Sequence, residues 1–298
     1  MGARPDSSTR LHRTTAATPA ARCVGCVSYL NAKPLIEGLD EIGDEAARPQ
    51  VRYDVPARLL ADLESGEVTI ALCPVIDYFR AARPLAIVPA GGIGCMGRTL
   101  TVRLFSRVPI ERIDAIHADT DSHTSVALLR VLLAEMHNIQ PELIDYHARE
   151  HVAGHRLADA PEAMLLIGDK VVTDSPLAAA YPHQLDLGEA WHQLTGLPFV
   201  FAVWMALRGA ELGDLPQRLV TVRQRNGARI ATIVDRYAQR HGWPRDLATE
   251  YLRDILRFAV GDRELTAIRR FADLAARHGL IEEARPLSMH PIHEDKRE

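Results

Sequence analysis

Two series of alternating strand-like and helix-like segments, each the mark of parallel β-α-β units, most constrain how this chain folds. In the first series CVGCVS, 51–55 and 69–74 read as strands. Helices are expected over 31–39, with Asn31 at the N-cap and Pro34 in the first turn, and over 57–63, stopped at Ser65-Gly66. A short helix through Asp77, Tyr78 and Phe79 follows, then the glycine-rich AIVPAGGIGCMG. The second series has strands at 115–118, 142–146 and 164–167, and a helix over 124–136 whose Val126, Leu129, Leu133 and Met136 share one face. Two further strand-like runs, TLTVRLFS and FVFAVWMA, bracket that series like a pair of crossovers. If both cross, 22–103 plus 201–298 form one discontinuous lobe and 104–200 the other, with a ligand cleft between them where strands end and helices begin. Past Gly213, Leu219, Val222, Ile230, Ile233 and Tyr237 predict one long amphipathic helix. Two more follow, the last capped by Asp262 and stopped by Gly279. The expected fold is α/β and two-lobed, with extra C-terminal helices.

Charge and apolar run lengths exclude several function classes. A net charge of −4 over 298 residues argues against a nucleic-acid partner, which usually meets a basic face. The longest apolar run, 197–207, is about half the roughly 20 residues of a membrane span. The polar, Arg/Thr-rich segment 1–21 has no apolar stretch of the kind a secretory signal needs. It is expected to be a disordered tail on a cytoplasmic protein. Of the four cysteines, Cys23 and Cys26 have CxxC spacing, but no second CxxC or Cys/His partner stands at ligand spacing. Within a strand that spacing points the two to opposite faces, so all four read as small core residues. No metal site is expected.

Five motifs occur in order: Ser28-Tyr29-Leu30-Asn31-Ala32-Lys33-Pro34-Leu35; GIGCMG; TDSHTSVAL at 120–128; Leu166-Ile167-Gly168-Asp169; and DLGEAWHQLTGLPFVFAVWMA at 186–206. Together they closely resemble the chorismate dehydratases of the futalosine route to menaquinone. The likeness is strong over 24–207 and only general in the C-terminal helices. It implies a type II periplasmic-binding-protein-like fold and the removal of water from chorismate to give 3-[(1-carboxyvinyl)oxy]benzoate, with no cofactor. Two other readings compete: a non-catalytic binding module of the same fold, and 1,4-dihydroxy-6-naphthoate synthase of the same pathway. Export would be needed for the first. The SYLNAKPL and TGLPFVFAVW stretches look like the dehydratase branch.

Chorismate carries two carboxylates, so the candidate residues are judged as anion holders. Ser122, His123, Thr124 and Ser125 open a helix, where hydroxyls, backbone N–H groups and the dipole suit a carboxylate; simple N-capping is the competing reading. Asp119 and Asp121 nearby count against an anion there unless they point away. Ser28 and Asn31 stand where a strand gives way to a helix, and Asn31 both donates and accepts. The resemblance implies catalytic roles for Asn31 and Thr101, and substrate contacts by Gly97, Arg98, Gly168, Asp169 and Phe199. Met96-Gly97-Arg98 departs from the family's usual Asp-Gly-Pro. Lys33 is expected to be a solvated helix residue. No His–carboxylate pair or carboxylate dyad stands out at these motifs, so the substrate's own enolpyruvyl carboxylate is the expected base.

Overall fold

The computed structural model describes residues 22–42, 48–119, 121–146, 161–173 and 180–292; the segment 1–21, expected to be a disordered tail, lies outside them. The chain begins with β1 (Cys23–Cys26), α1 (Lys33–Ile36), β2 (Gln50–Tyr53), α2 (Pro56–Ser65), β3 (Ile70–Pro74), α3 (Asp77–Arg80) and β4 (Leu85–Cys95). It continues with β5 (Val102–Ser106), β6 (Ala115–Asp119), α4 (His123–His137), β7 (Glu142–Tyr146), β8 (Ala163–Ile167), α5 (Lys170–Thr173), β9 (His183–Asp186) and α6 (Leu187–Thr195). Last come β10 (Phe199–Leu207), α7 (Leu215–Gly227), α8 (Ile230–Tyr237), α9 (Arg245–Glu250), β11 (Leu256–Arg257) and α10 (Asp262–Arg277).

The strands sort into two sheets. One has six strands in the order β11-β4-β10-β3-β1-β2, the other five in the order β7-β6-β8-β5-β9. β1 is parallel to β2 and β3, and β10 runs antiparallel between β3 and β4. In the second sheet β6 is parallel to β7 and β8, while β5 is antiparallel to β8 and β9. Sheet membership therefore changes between Cys95 and Val102 and changes back between Asp186 and Phe199. One apolar core runs through both sheets, and α10 packs on both β10 and α4. Among the described residues, no helix is long and apolar enough to cross a membrane.

Several local expectations are corrected. The helix expected over 31–39 is only the four-residue α1 between two 3-10 turns, Leu30–Ala32 and Leu39–Glu41; Asn31 sits inside the first turn and caps nothing. Gly38, at φ 70°, breaks the helical path. The long helix through Leu219 and Tyr237 is two helices, parted at Ala228-Arg229. There the Asn226 amide donates to the carbonyls of Pro34 and Glu37. The last helix is capped by Gly261, whose N–H donates to Glu264, and Asp262 is its first residue. Lys33 is buried, with its ammonium 4.9 Å from the Tyr53 ring centre and 5.1 Å from that of Tyr237.

All four cysteines are unpaired. Burial pushes the Cys26 and Cys95 thiols up to about 12 and Cys73 well above its usual range, while Cys23 is only partly buried. Since the thiolate is the reactive form, Ellman's reagent at pH 8 is expected to titrate at most one thiol, Cys23, in the native protein and all four in denaturant. Fast reaction of two or more native thiols contradicts this packing.

Candidate functional site

A cavity lies between the sheets, with about 560 Å³ of empty space when the open solvent at its mouth is counted. Its walls come from both lobes. Val27, Tyr29 and Asn31 follow β1, and Leu72 and Pro74 belong to β3. Thr99, Thr101 and Val102 lie on the outward crossing, Ser122 and Ser125 at the start of α4, Ile167 and Gly168 at the end of β8, and Phe201 and Ala202 on β10. Tyr251 closes it from the C-terminal helices. Among the described residues, no lining side chain carries a charge at neutral pH; the polar groups are hydroxyls, one amide and the backbone.

The α4 side presents a capped helix N-terminus to the cavity. Ser122 caps the helix at φ −135°, ψ 105°, its hydroxyl accepting from the Ser125 N–H at 3.4 Å and lying 3.1 Å from the Ser125 hydroxyl. The partial positive charge at that end of a fifteen-residue helix favours an acid. Asp119 and Asp121 are both engaged by the Lys170 ammonium, and Asp121 also accepts from the Tyr29 hydroxyl at 3.0 Å. Burial pushes the Asp119 carboxyl above its usual range, against the pull of Lys170. His123 and Thr124 do not line the cavity. Thr124 is fully buried and accepts from the Ile76 N–H at 3.2 Å, and His123 Nδ1 lies 2.8 Å from the Asp77 carboxylate. Both contacts tie α4 to the other lobe.

On the opposite wall Asn31 Nδ2 donates to the Tyr251 hydroxyl at 3.4 Å, and that hydroxyl is 2.8 Å from the Thr101 hydroxyl. Asn31 Oδ1 is buried and finds no partner among the described residues. Whichever way the amide is turned, one of its polar atoms is left for a ligand. Tyr251 is fully buried, which pushes its phenol up against the opposing hydrogen bonds from Thr101 and Asn31, so it stays protonated at any working pH.

Asp169 lies just outside the cavity and joins the lobes. Its carboxylate accepts from Trp243 Nε1 at 2.9 Å and the Leu30 N–H at 3.4 Å, and lies 2.8 Å from His241 Nδ1. Trp243 stacks on Tyr251 with ring centres 4.7 Å apart. Of the four His–carboxylate pairs among the described residues, His123–Asp77 and His241–Asp169 involve motif residues, and the motifs alone did not reveal them. Neither lines the cavity.

Of the residues singled out in the sequence, Asn31, Thr101, Ser122, Ser125 and Gly168 meet around the cavity. Ser28 is exposed away from the lining, and Gly97, at φ 87°, has open space where a Cβ would stand. Arg98 is half exposed and pairs with Glu250. Phe199 is buried among Trp191, Phe201 and Phe271, and Phe201 takes the place at the cavity. Asp186 was missed. Its carboxylate accepts from the Thr99 and Leu100 N–H groups, both at 2.8 Å, and from those of Gly188 and Glu189 at 3.1 Å. An acid followed three residues later by Glu189 is a helix-start signature that marks it in the sequence. Nothing marks Tyr251.

Known proteins bear on this geometry in two ways. Two solved structures share the fold. One is the alkanesulfonate-binding protein of Xanthomonas axonopodis pv. citri (TM-score 0.61, 16% identity, 90% of this chain and 96% of that one). The other is a Candida albicans protein described as having the generic periplasmic binding protein fold (TM-score 0.63, 10% identity, 92% and 99%). In sequence, the chorismate dehydratase of Thermus thermophilus is 31% identical over 265 residues, 84% of this chain and 93% of that protein. The family model described as menaquinone biosynthesis matches residues 23–277, a span that holds every wall of the cavity. The chain belongs to that menaquinone biosynthesis family.

Proposed function

We propose that the protein is a chorismate dehydratase, a hydro-lyase that removes water from chorismate to give 3-[(1-carboxyvinyl)oxy]benzoate, unaided by a cofactor, in the cytoplasm. The observation that carries the reading is the uncharged two-sided cavity. A helix N-terminus with Ser122 and Ser125 faces the linked donors Asn31, Tyr251 and Thr101. In this reaction the proton on the ether-bearing ring carbon and the neighbouring hydroxyl leave together, and the ring becomes aromatic. The driving force lies in the substrate, so the protein has to hold a dianion in one geometry and stabilise the departing oxygen.

The start of α4 takes one carboxylate. Asn31 and Thr101 face the ether and hydroxyl edge of the ring. The enolpyruvyl carboxylate, held beside the ring proton, removes it, and that proton leaves with the hydroxyl as water. The discontinuous first lobe (22–103 with 201–298) and the second lobe (104–200) close around the ring and keep water out. Asp169, hydrogen-bonded to Leu30 and Trp243 of the other lobe, serves the closure.

Incubating the pure protein with chorismate tests this directly. Chorismate should disappear and an aromatic product lighter by one water should appear in absorbance and mass. Unchanged chorismate overturns the reading. A His123→Ala enzyme that binds chorismate normally yet is inactive would instead assign the base to the His123–Asp77 pair.

A further inference from the structure

Tyr251 falls in none of the sequence motifs, and it stands 220 positions from Asn31 and 150 from Thr101. Its hydroxyl nevertheless contacts both. With Nδ2 turned toward Tyr251, as the structure places it, the Asn31 amide donates and the Tyr251 oxygen accepts. The tyrosine's single proton then goes either to Thr101 or into the cavity. In the first case the Thr101 proton is the one left over. Either way the Tyr251–Thr101 pair keeps one hydroxyl proton for a ligand, and its direction is set by the Asn31 amide.

The backbone supports a dedicated role. Residues Tyr251–Ile255 form a π-helical turn between α9 and β11, a rare conformation that recurs at functional sites. The ring is held by stacking on Trp243, and Trp243 donates to Asp169 at the end of β8. The tyrosine's place is thus fixed by a contact that exists only while the two sheets are together.

We propose that Tyr251 is a positioning residue of the dehydration. Its hydroxyl aligns the Asn31 amide with the Thr101 hydroxyl, and Trp243–Asp169 couples that alignment to closure of the lobes. The proposal rests on the dehydratase reading and deepens it.

A double-mutant cycle on chorismate turnover tests it. Tyr251→Phe keeps the ring and its stack and removes only the hydroxyl. It should lower kcat by about 100-fold, as loss of alignment does, with KM little changed. Because Tyr251 acts through Asn31, the Asn31→Ala/Tyr251→Phe enzyme should retain the same residual rate as Asn31→Ala alone. Fully multiplicative losses, or a Tyr251→Phe kcat close to wild type, overturn the proposal while active wild type keeps the dehydratase reading intact. Wild type that leaves chorismate unchanged overturns both. If Tyr251→Phe fails to fold, Trp243→Phe tests the same coupling. It keeps an aromatic ring on Tyr251 and loses the N–H to Asp169. A fall in kcat at unchanged KM supports the proposal, and an unchanged kcat overturns it.

Discussion

Asn31→Ala is expected to lower chorismate turnover by roughly 100- to 1000-fold, the usual loss on removing a preorganised donor at a reacting oxygen. Asn31 is the lining amide that offers a polar atom with no partner among the described residues, and it also feeds the Tyr251 hydroxyl. Truncation removes both the ligand contact and the direction of the Tyr251–Thr101 pair. Stability should move little, because among the described residues the side chain makes a single hydrogen bond, at 3.4 Å. The measurement is therefore paired: kcat by product absorbance, and the melting temperature of the same preparation. A melting temperature near wild type with turnover down at least 100-fold is the expected result. Turnover within tenfold of wild type removes Asn31 from the chemistry. Asn31→Asp separates charge from shape, since it places an acid where a dianion has to bind in a cavity that has no cationic side chain among the described residues. It should weaken binding as well as turnover.

The alternation of periods made the architecture legible, because strand and helix faces leave their mark within a few residues. Val126, Leu129 and Leu133 predicted α4, and the apolar run at 164–167 predicted β8. What the sequence hid were features set by distant partners. The glycine-rich AIVPAGGIGCMG stands apart from the strands expected in the sequence, yet most of its glycines belong to β4. A Cβ on Gly92 would stand 2.4 Å from the Ala202 carbonyl oxygen, and one on Gly94 2.7 Å from that of Phe199, so these glycines admit β10. The break between α7 and α8 coincides with Asn226 reaching back to Pro34 and Glu37. Asn31 is singled out by its motif, but the helix expected to begin there starts at Lys33 and ends at Ile36. Tyr251 gave no signal because its importance lies in two hydroxyl-range contacts across more than half the chain.

Asp186→Ala is expected to be the most destabilising single change at the site. One carboxylate accepts four backbone N–H groups, two from the first turn of α6 and two from the crossing segment at Thr99 and Leu100, and it is nearly buried. Loss of a helix cap costs about 1 kcal/mol, and each further buried N–H left without an acceptor about 1–3 kcal/mol. With the cap counted once for the α6 pair and the Thr99 and Leu100 N–H groups counted separately, a total of about 3–7 kcal/mol follows, which for a chain of this size lowers the melting temperature by roughly 5–10 °C. The strain at Leu100, φ 68° in a residue with a branched side chain, gives the crossing segment a reason to relax once its acceptor is gone. Thr101 is the next residue and moves with it, so turnover should fall even at temperatures where the variant is folded. Asp186→Asn should be intermediate. Its one oxygen can still serve Thr99, Gly188 and Glu189, all of which bond Oδ1, while its NH2 then faces the Leu100 N–H. Calorimetric melting of the three proteins orders them as wild type, Asn, Ala. An Asp186→Ala protein that melts within 2 °C of wild type would show that the crossing segment is held by something other than this carboxylate.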